Sequence, residues 1–154
     1  MIEKTVKQVP MSEMSPLITG LIDEGVDVTI LVTGSSMRPM LTHLKDTVVL
    51  TKCDPCSLKK GDIPLYLREN GQYVLHRILK VNPDSYDISG DNQWEIEKDV
   101  KHSQILCVVK GFKRKGKYHS CDEFSYRLYE STWRLLFPLR KLIKKTYLKL
   151  HCRK

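Results

Sequence analysis

At 154 residues the chain is long enough for about one domain, and its 41% apolar content supports a packed core, which excludes disorder over most of its length. Its formal net charge of +8 is uneven: residues 110–154 carry 14 Lys or Arg against 3 Asp or Glu, whereas residues 1–109 carry 12 against 15. Five cysteines without a repeated spacing argue against a secreted disulfide framework and favour reduced thiols. The polar start is unlike a signal peptide, and no apolar run reaches the roughly 18 residues of a membrane span.

The predicted elements follow the order helix, β region, helix. Ser15 and Pro16 are typical of the start of a short helix, which Gly25 ends. Alternating and β-branched runs then predict a series of strands, and a helical period begins at Phe124. The predicted strands cover residues 26–32, 47–52, 63–68, 72–81, 85–89 and 105–114.

One turn of the β region carries two adjacent hydroxyl groups. The stretch T-G-S-S-M-R-P-M-L, Thr33 to Leu41, directly follows the strand V-D-V-T-I-L-V. Such a turn is either structural, as serine-rich turns commonly are, or it presents Ser36 as a nucleophile. A serine hydroxyl is a poor nucleophile at neutral pH, so the second interpretation requires a base nearby.

His76 is the best-placed base among the five histidines. It lies inside Y-V-L-H-R-I-L and shares a strand face with Val74 and Ile78, where partial burial would hold the ring still and neutral. An acid is then needed to fix the tautomer, and the tripeptide G-D-N offers Asp91 at a turn. Each signal is weak alone, because strand histidines are usually core residues and G-D-N is commonly a turn. The other histidines fall in a polar turn, in hydrophilic loops or at the chain end: His43, His102, His119 and His151.

Four blocks in one order make the pattern specific. G-S-S-M-R-P-M-L, K-K-G-D-I-P-L-Y, Y-V-L-H-R-I and G-D-N resemble the S24/S26 serine peptidases. That group contains the type I signal peptidases and the self-cleaving LexA-like repressors. The resemblance covers Val26 to Val109, and it implies a partly open, barrel-like β domain of the signal peptidase/LexA type.

The resemblance also implies a role for each residue of the catalytic set. Ser36 matches the nucleophile of the family. His76 followed by Arg77 resembles the archaeal and endoplasmic-reticulum members, which pair serine with histidine, rather than the members that use lysine. Asp91 then matches the acid that orients the histidine. An accessory acid is offered by two downstream glutamates: Glu95 and Glu97.

The serine turn would itself supply the donors for an oxyanion, most simply the N–H of Ser36 and of a neighbour. Gly34 stands where some family members have a serine hydroxyl as donor. Ser35 is then the candidate replacement, and Gly34 permits a backbone turn that a side chain would obstruct. Met37 is expected as a packing contact and Pro39 as the residue that stiffens the turn.

The chain departs from the two best-known kinds of member. It has no membrane-spanning tether of the kind that holds a signal peptidase. Only 35 residues precede Ser36, too few for the DNA-binding domain and cleavage segment of a self-cleaving repressor. The chain thus resembles the small stand-alone members of Gram-positive bacteria, which implies a peptide or protein precursor as substrate.

The C-terminal stretch from Ser131 contains eight basic and no acidic residues. Its apolar side chains can align on one side of a helix flanked by basic residues between Arg140 and Lys145. Two interpretations are equally favoured: the helix lies on an anionic membrane surface, or it packs on the β body with a solvated basic back. Nucleic acid is a less favoured partner. The aligned apolar residues are Trp133, Leu136, Leu139, Leu142, Ile143 and Leu150.

The segment C-D-P-C, Cys53 to Cys56, has the spacing of a redox motif or of a pair of metal ligands. Zinc would require two more ligands at comparable spacing, and the remaining cysteines are scattered. A proline turn with two free thiols is therefore the favoured interpretation. We expect neither a metal nor a cofactor.

Together these patterns predict a mainly β protein in three parts: an N-terminal helical arm (1–25), a catalytic β domain (26–120) and a basic amphipathic C-terminal helix (121–154). The predicted function is a serine endopeptidase that cuts a precursor through Ser36, His76 and Asp91. The competing hypothesis is a non-catalytic module that binds peptides or docks on membranes. The expected location is the cytoplasm, or the periphery of the inner face of the cell membrane.

Overall fold

The structure is a computed structural model that describes residues 10–151, with side chains described as far as residue 139. A mainly β body is flanked in sequence by two helices, which confirms the prediction of a mainly β protein with a helix on either side. The helices are α1 (Met11–Asp23) and α2 (Phe124–His151), and a short 3-10 helix spans His102–Gln104. The strands are β1 (Val28–Leu31), β2 (Thr47–Thr51), β3 (Pro64–Leu67), β4 (Tyr73–Leu75), β5 (Arg77–Val81), β6 (Ser85–Ser89), β7 (Glu97–Lys101), β8 (Ile105–Arg114) and β9 (Lys117–Ser120).

Six strands form one antiparallel sheet that curls into a half-barrel. Its path is β1-β2-β8-β3-β4, with β9 paired to the far part of β8. The register shifts between Val49 and Leu50 and again between Leu65 and Tyr66. Such bulges bend a strand and increase its twist, so they help the sheet to curl. Strands β1 and β4 are the two ends of this path.

The chain passes to a second antiparallel sheet, β5-β6-β7, at His76. β4 ends at Leu75, where it pairs with β3, and β5 begins at Arg77, where it pairs with β6. The prediction of one continuous strand over residues 72–81 is therefore wrong at His76. The predicted strands do not include β7, because only Val100 of its five residues is buried and its sequence has no apolar alternation.

Helix α1 closes one side of the half-barrel core. Ile18 and Ile22 are both 2% exposed and pack with apolar residues of β2 and β8. The Ser15 hydroxyl donates to the Tyr73 hydroxyl of β4 at 2.6 Å, which fastens the helix to an end strand of the sheet. Gly25, at a φ of +82°, follows the end of the helix, as predicted.

Helix α1 begins at Met11, earlier than the predicted start at Ser15 and Pro16. Pro16 lies inside the helix, where it removes one backbone hydrogen bond to the turn before it. Residues Ser12 and Pro16 are both exposed, so water can satisfy the carbonyl that loses its partner.

Helix α2 packs on the β body through one side of its first half. Tyr126 and Glu130 are buried, and Trp133 Nε1 donates to the carbonyl of Asp91 at 3.2 Å. The opposite side carries exposed apolar residues: Phe124 (81% exposed), Leu128, Leu135 (78% exposed) and Leu139.

The predicted alignment of Trp133 with Leu139 on one apolar side is wrong. Six residues turn an α-helix by about 600°, which leaves the two side chains roughly 120° apart. Trp133 faces the body, whereas Leu139 is exposed. Within the described residues, no helix is both long and apolar enough to cross a membrane. The other residues of the predicted surface lie outside the described side chains: Arg140, Lys141, Leu142, Ile143, Lys144, Lys145 and Leu150.

Candidate active site

The serine turn, residues 33–40, follows β1 and is anchored by two methionines. Met37 and Met40 are 4% and 3% exposed and lie in the core of the half-barrel. Their burial fixes the turn from beneath and leaves Ser36 partly buried at its surface. Gly34 has a φ of +91°, a conformation that favours glycine. Ser35 and Pro39 are exposed.

The turn of residues 90–92 is bonded directly to the serine turn. The Asn92 N–H donates to the Ser36 carbonyl at 2.7 Å, and Asn92 Nδ2 donates to the Ser35 carbonyl at 3.3 Å. These hydrogen bonds join segments more than fifty residues apart in sequence. The structure thus holds the G-D-N tripeptide directly against the serine turn.

Gly90 brings Ser36 and His76 to one point. A Cβ atom on Gly90 would lie 2.7 Å from the Ser36 carbonyl oxygen and 3.1 Å from His76 Nε2. Both residues thus pack against the α-carbon of Gly90, which has no side chain, and Nε2 is the imidazole atom that faces it. The Ser36 hydroxyl makes no hydrogen bond with any residue that the structure describes. Catalytic hydrogen bonds are often formed only when substrate is bound.

His76 is 2% exposed, and its Nδ1 edge faces an acid. Nδ1 lies 3.4 Å from Glu97 Oε1 and 3.4 Å from the Tyr66 hydroxyl. Burial lowers the pKa of His76 below its ordinary value of 6.5, although the charge of Glu97 acts in the opposite direction. The imidazole is therefore neutral at neutral pH, the form that accepts a proton.

Glu97 is itself held by two partners. The Tyr66 hydroxyl donates to Glu97 Oε1 at 2.8 Å, and Arg68 forms a close two-pronged ion pair with the carboxylate. Burial alone would raise the pKa of Glu97, but the hydrogen bonds from Arg68 and Tyr66 outweigh it and lower that pKa. Glu97 is therefore ionised beside His76. The other accessory candidate, Glu95, is exposed, and its backbone carbonyl accepts from Ser89.

Asp91 has a different place from the one predicted for the orienting acid. Its two carboxylate oxygens each accept a hydrogen bond of 2.8 Å from Arg77, at Nε and at one terminal nitrogen. Asp91 and Arg77 are 3% and 1% exposed, so this is a buried ion pair. The carboxylate beside His76 Nδ1 is that of Glu97, the first residue of β7. Because β7 pairs with β6, Glu97 lies close to His76, where β4 gives way to β5.

Arg77 links the segments that build the site. Beyond Asp91, it donates to the carbonyl of Gly61, to the Tyr126 hydroxyl of α2 and to Met40 Sδ. Burial opposes its charge, but the Asp91 carboxylate outweighs this and raises the pKa of Arg77, which stays charged. The sequence signal for such a role was an arginine inside an apolar strand, since a buried charge must be paired.

The cleft beside Ser36 has a volume of about 250 Å³. Both end strands of the half-barrel path contribute to it, β1 through residues 30–31 and β4 through residues 73–75. Met11 of α1 lines the same cleft together with Ser36, His76 and Tyr73, and the Tyr73 hydroxyl accepts from Ser15 of α1. A groove between the two end strands of a sheet can accept an extended peptide as an additional strand.

The backbone N–H of Ser36 donates to no acceptor within the part of the chain that the structure describes. It therefore remains able to donate to an oxyanion beside the serine. The N–H of Gly34 instead donates to His43 Nδ1 at 2.9 Å. The sequence places His43 in a polar turn and gives no sign of this contact.

The C-D-P-C segment provides two free thiols, one partly buried at Cys53 and one exposed at Cys56. Burial raises the pKa of the Cys53 thiol to about 11, so it is protonated at neutral pH. Among the described residues, no group of three or more His, Cys, Asp or Glu side chains is arranged to hold a metal ion.

A scan against models of known protein families finds no match to this chain, and a search of curated proteins finds no significant relative.

Proposed function

We propose that the chain is a serine endopeptidase of the S24/S26 type, with Ser36 as nucleophile and His76 as general base. The observation that carries the proposal is a buried, neutral imidazole whose Nε2 edge faces the serine turn and whose Nδ1 edge faces an ionised carboxylate. Nucleophile, base and orienting acid are the three roles that acyl transfer by a serine requires.

In this mechanism His76 Nε2 takes the proton of the Ser36 hydroxyl as Oγ attacks the peptide carbonyl. The imidazolium then gives this proton to the leaving amine, and an acyl-serine remains. Water hydrolyses the acyl-serine with the same imidazole as base. Glu97, 3.4 Å from Nδ1, stabilises the positive charge that forms on the ring in both steps.

The negative charge on the substrate oxygen needs a fixed donor. The Ser36 N–H supplies it in this proposal, because the buried Met37 and Met40 hold the turn and the Asn92 N–H occupies the Ser36 carbonyl. Ser35 is exposed, and we assign it no part in the reaction.

Asp91 acts through Arg77 rather than on the imidazole in this account. The buried pair fixes the turn of residues 90–92, and Asn92 of that turn bonds the serine turn. Asp91 is thus a positioning residue, and Glu97 is the acid that orients His76.

We further propose that the half-barrel is the β domain of the signal peptidase/LexA type. A peptide or protein precursor would lie extended in the cleft as a strand added between β1 and β4. The small cleft, narrowed by Met11 and Tyr73, favours small side chains next to the cut.

The test is cleavage of a random peptide library by purified protein. Ser36→Ala should abolish cleavage with an unchanged melting temperature, whereas Ser35→Ala, the adjacent and exposed serine, should retain it. Equal cleavage by wild type and Ser36→Ala would refute the proposal.

A second candidate function, docking on an anionic membrane surface, is favoured by the exposed apolar side of α2. Phe124, Leu128, Leu135 and Leu139 present apolar area to solvent, and the sequence from residue 110 has a net charge of +11, from 14 basic and 3 acidic residues. This function would keep the protein at the periphery of the inner face of the membrane, with or without peptidase activity.

Liposome co-sedimentation tests the docking function. Binding should require anionic lipid, weaken with added salt and fall in Leu135→Ser. Leu17→Ser, which removes an exposed leucine from α1, is the matched control and should bind like wild type. Binding that is independent of lipid charge, or equal in the two variants, would contradict it.

A further inference from the structure

The loop that follows the serine turn returns beneath it and places an imidazole on its backbone. His43 Nδ1 accepts the Gly34 N–H at 2.9 Å, two residues before Ser36. Because Nδ1 is the acceptor, the proton of the neutral ring is on Nε2. His43 does not belong to the described residues that line the cleft, so its influence on chemistry there has to pass through the turn.

The loop of residues 42–46 is held firmly in this shape. The Thr42 N–H donates to Asp46 Oδ2 at 2.9 Å, and Arg114 of β8 pairs with the same oxygen at 3.1 Å. Asp46 is 2% exposed, so the loop is anchored inside the protein at one end. The imidazole is thus carried by a fixed support.

Leu44 shows that this shape is maintained at a local cost. Its φ of +55° lies in the left-handed region that side chains other than glycine rarely adopt. Its side chain is 45% exposed, so burial of this side chain contributes little free energy to offset the backbone strain. Its N–H donates to the carbonyl of Val32 at 2.8 Å, which joins the loop to the residue that follows β1, two residues before Gly34. Strained residues cluster where a structure holds a functional group in place.

We propose that His43 is a positioning residue that fixes the serine turn through the hydrogen bond from Gly34 to Nδ1. This inference rests on the proposed peptidase function. Glycine has wide backbone freedom, and Gly34 adjoins the segment from which the Ser36 N–H must meet the oxyanion. The bond at Gly34 restricts that freedom and so lowers the cost of reaching the reactive geometry.

The test compares two nearly isosteric replacements, His43→Asn and His43→Leu. Asn presents an oxygen on the same branch as Nδ1 and can accept from Gly34, whereas Leu cannot. His43→Leu should lower kcat about fivefold to tenfold with little change in KM, the effect of one lost hydrogen bond. His43→Asn should retain most of the rate, because its side-chain oxygen replaces Nδ1 as acceptor of the Gly34 N–H. Equal rates in the two variants would overturn the proposal.

A second measurement does not depend on peptidase activity. In 15N NMR, the Gly34 amide hydrogen should exchange slowly with solvent in wild type and in His43→Asn, and faster in His43→Leu, which lacks the acceptor. A Gly34 amide that exchanges equally in wild type and in His43→Leu would overturn the inference even in an active enzyme. If the amide exchanges faster in His43→Leu but no peptide is cut, the contact stands and the proposed function fails instead.

Discussion

Gly90→Ala perturbs the point at which Ser36 and His76 meet. The new methyl carbon would lie 2.7 Å from the Ser36 carbonyl oxygen, whereas such a contact ordinarily measures at least about 3.3 Å. The serine turn must therefore retreat by about 0.6 Å, and the methyl group also lies 3.1 Å from His76 Nε2. The obstacle on the serine side is backbone, which cannot simply rotate away.

The magnitude follows from the sensitivity of catalysis to position. A misplacement of about 1 Å can cost about 100-fold in rate, so a shift of about 0.6 Å should cost about tenfold or more in kcat. The same crowding should destabilise the fold by about 1–3 kcal/mol.

The assay is hydrolysis of a fluorogenic peptide chosen from the library, together with thermal unfolding. Gly20→Ala is the matched control, because a Cβ there meets nothing within 4 Å and the residue lies in α1. It should leave kcat unchanged. A Gly90→Ala protein with wild-type kcat and KM would refute the claim that Gly90 sets the Ser36–His76 approach.

Three further predictions separate the roles of the acids and the base. Glu97→Gln should lower kcat at least about tenfold and move the acid limb of kcat/KM to lower pH, because it removes the carboxylate that raises the pKa of His76. The control Glu95→Gln should have neither effect. An unchanged pH profile in Glu97→Gln would contradict the assignment of Glu97. Asp91→Asn should destabilise the fold by about 3–5 kcal/mol in urea unfolding, because it leaves Arg77 charged and buried, and a stable Asp91→Asn protein that has lost only activity would restore Asp91 as the orienting acid. In wild type, the acid limb assigned to His76 should have its midpoint below pH 6.5, and a midpoint above 6.5 would show that His76 is not the base. The free energy of unfolding should also fall as pH drops below 6.5, because the histidine is then protonated in the unfolded chain while its lowered pKa keeps it neutral in the folded protein.

The candidate serine and histidine could be singled out from the sequence because each stands in a local pattern. Ser36 follows a strand at a glycine turn, and His76 interrupts an apolar run. Their meeting depends on Gly90, whose small size is visible in the sequence but whose neighbours are not.

The acid that we propose as the orienting group of His76, Glu97, could not be predicted, because it lies in no turn motif. Asp91 lies in the turn motif G-D-N, but a buried arginine needs a carboxylate and takes it. Glu97 lies on a strand too polar to be recognised, and it reaches His76 only because β7 pairs with β6 across the second sheet. Strand pairing of this kind is a property of the whole fold, and it cannot be predicted from the spacing of residues along the sequence.

In the helices, too, features set by local sequence could be predicted and features set by tertiary packing could not. Gly25 marks the end of α1 by a local rule, whereas the side of α2 that meets the body is set by Tyr126 and Trp133 and their partners in the β region. The apolar residues left over form the exposed side. Amphipathic patterning alone could not say which side that would be, because both sides of the helix carry apolar residues.

The most direct measurement is a crystal structure of the protein with a substrate-like peptide aldehyde, which forms a hemiacetal with an activated serine. We predict the covalent adduct on Ser36 Oγ, with His76 Nε2 within about 3.2 Å of that oxygen and Glu97 at Nδ1. An adduct on another residue, or an Nε2 that stays beyond hydrogen-bond reach of Ser36 Oγ, would contradict the account.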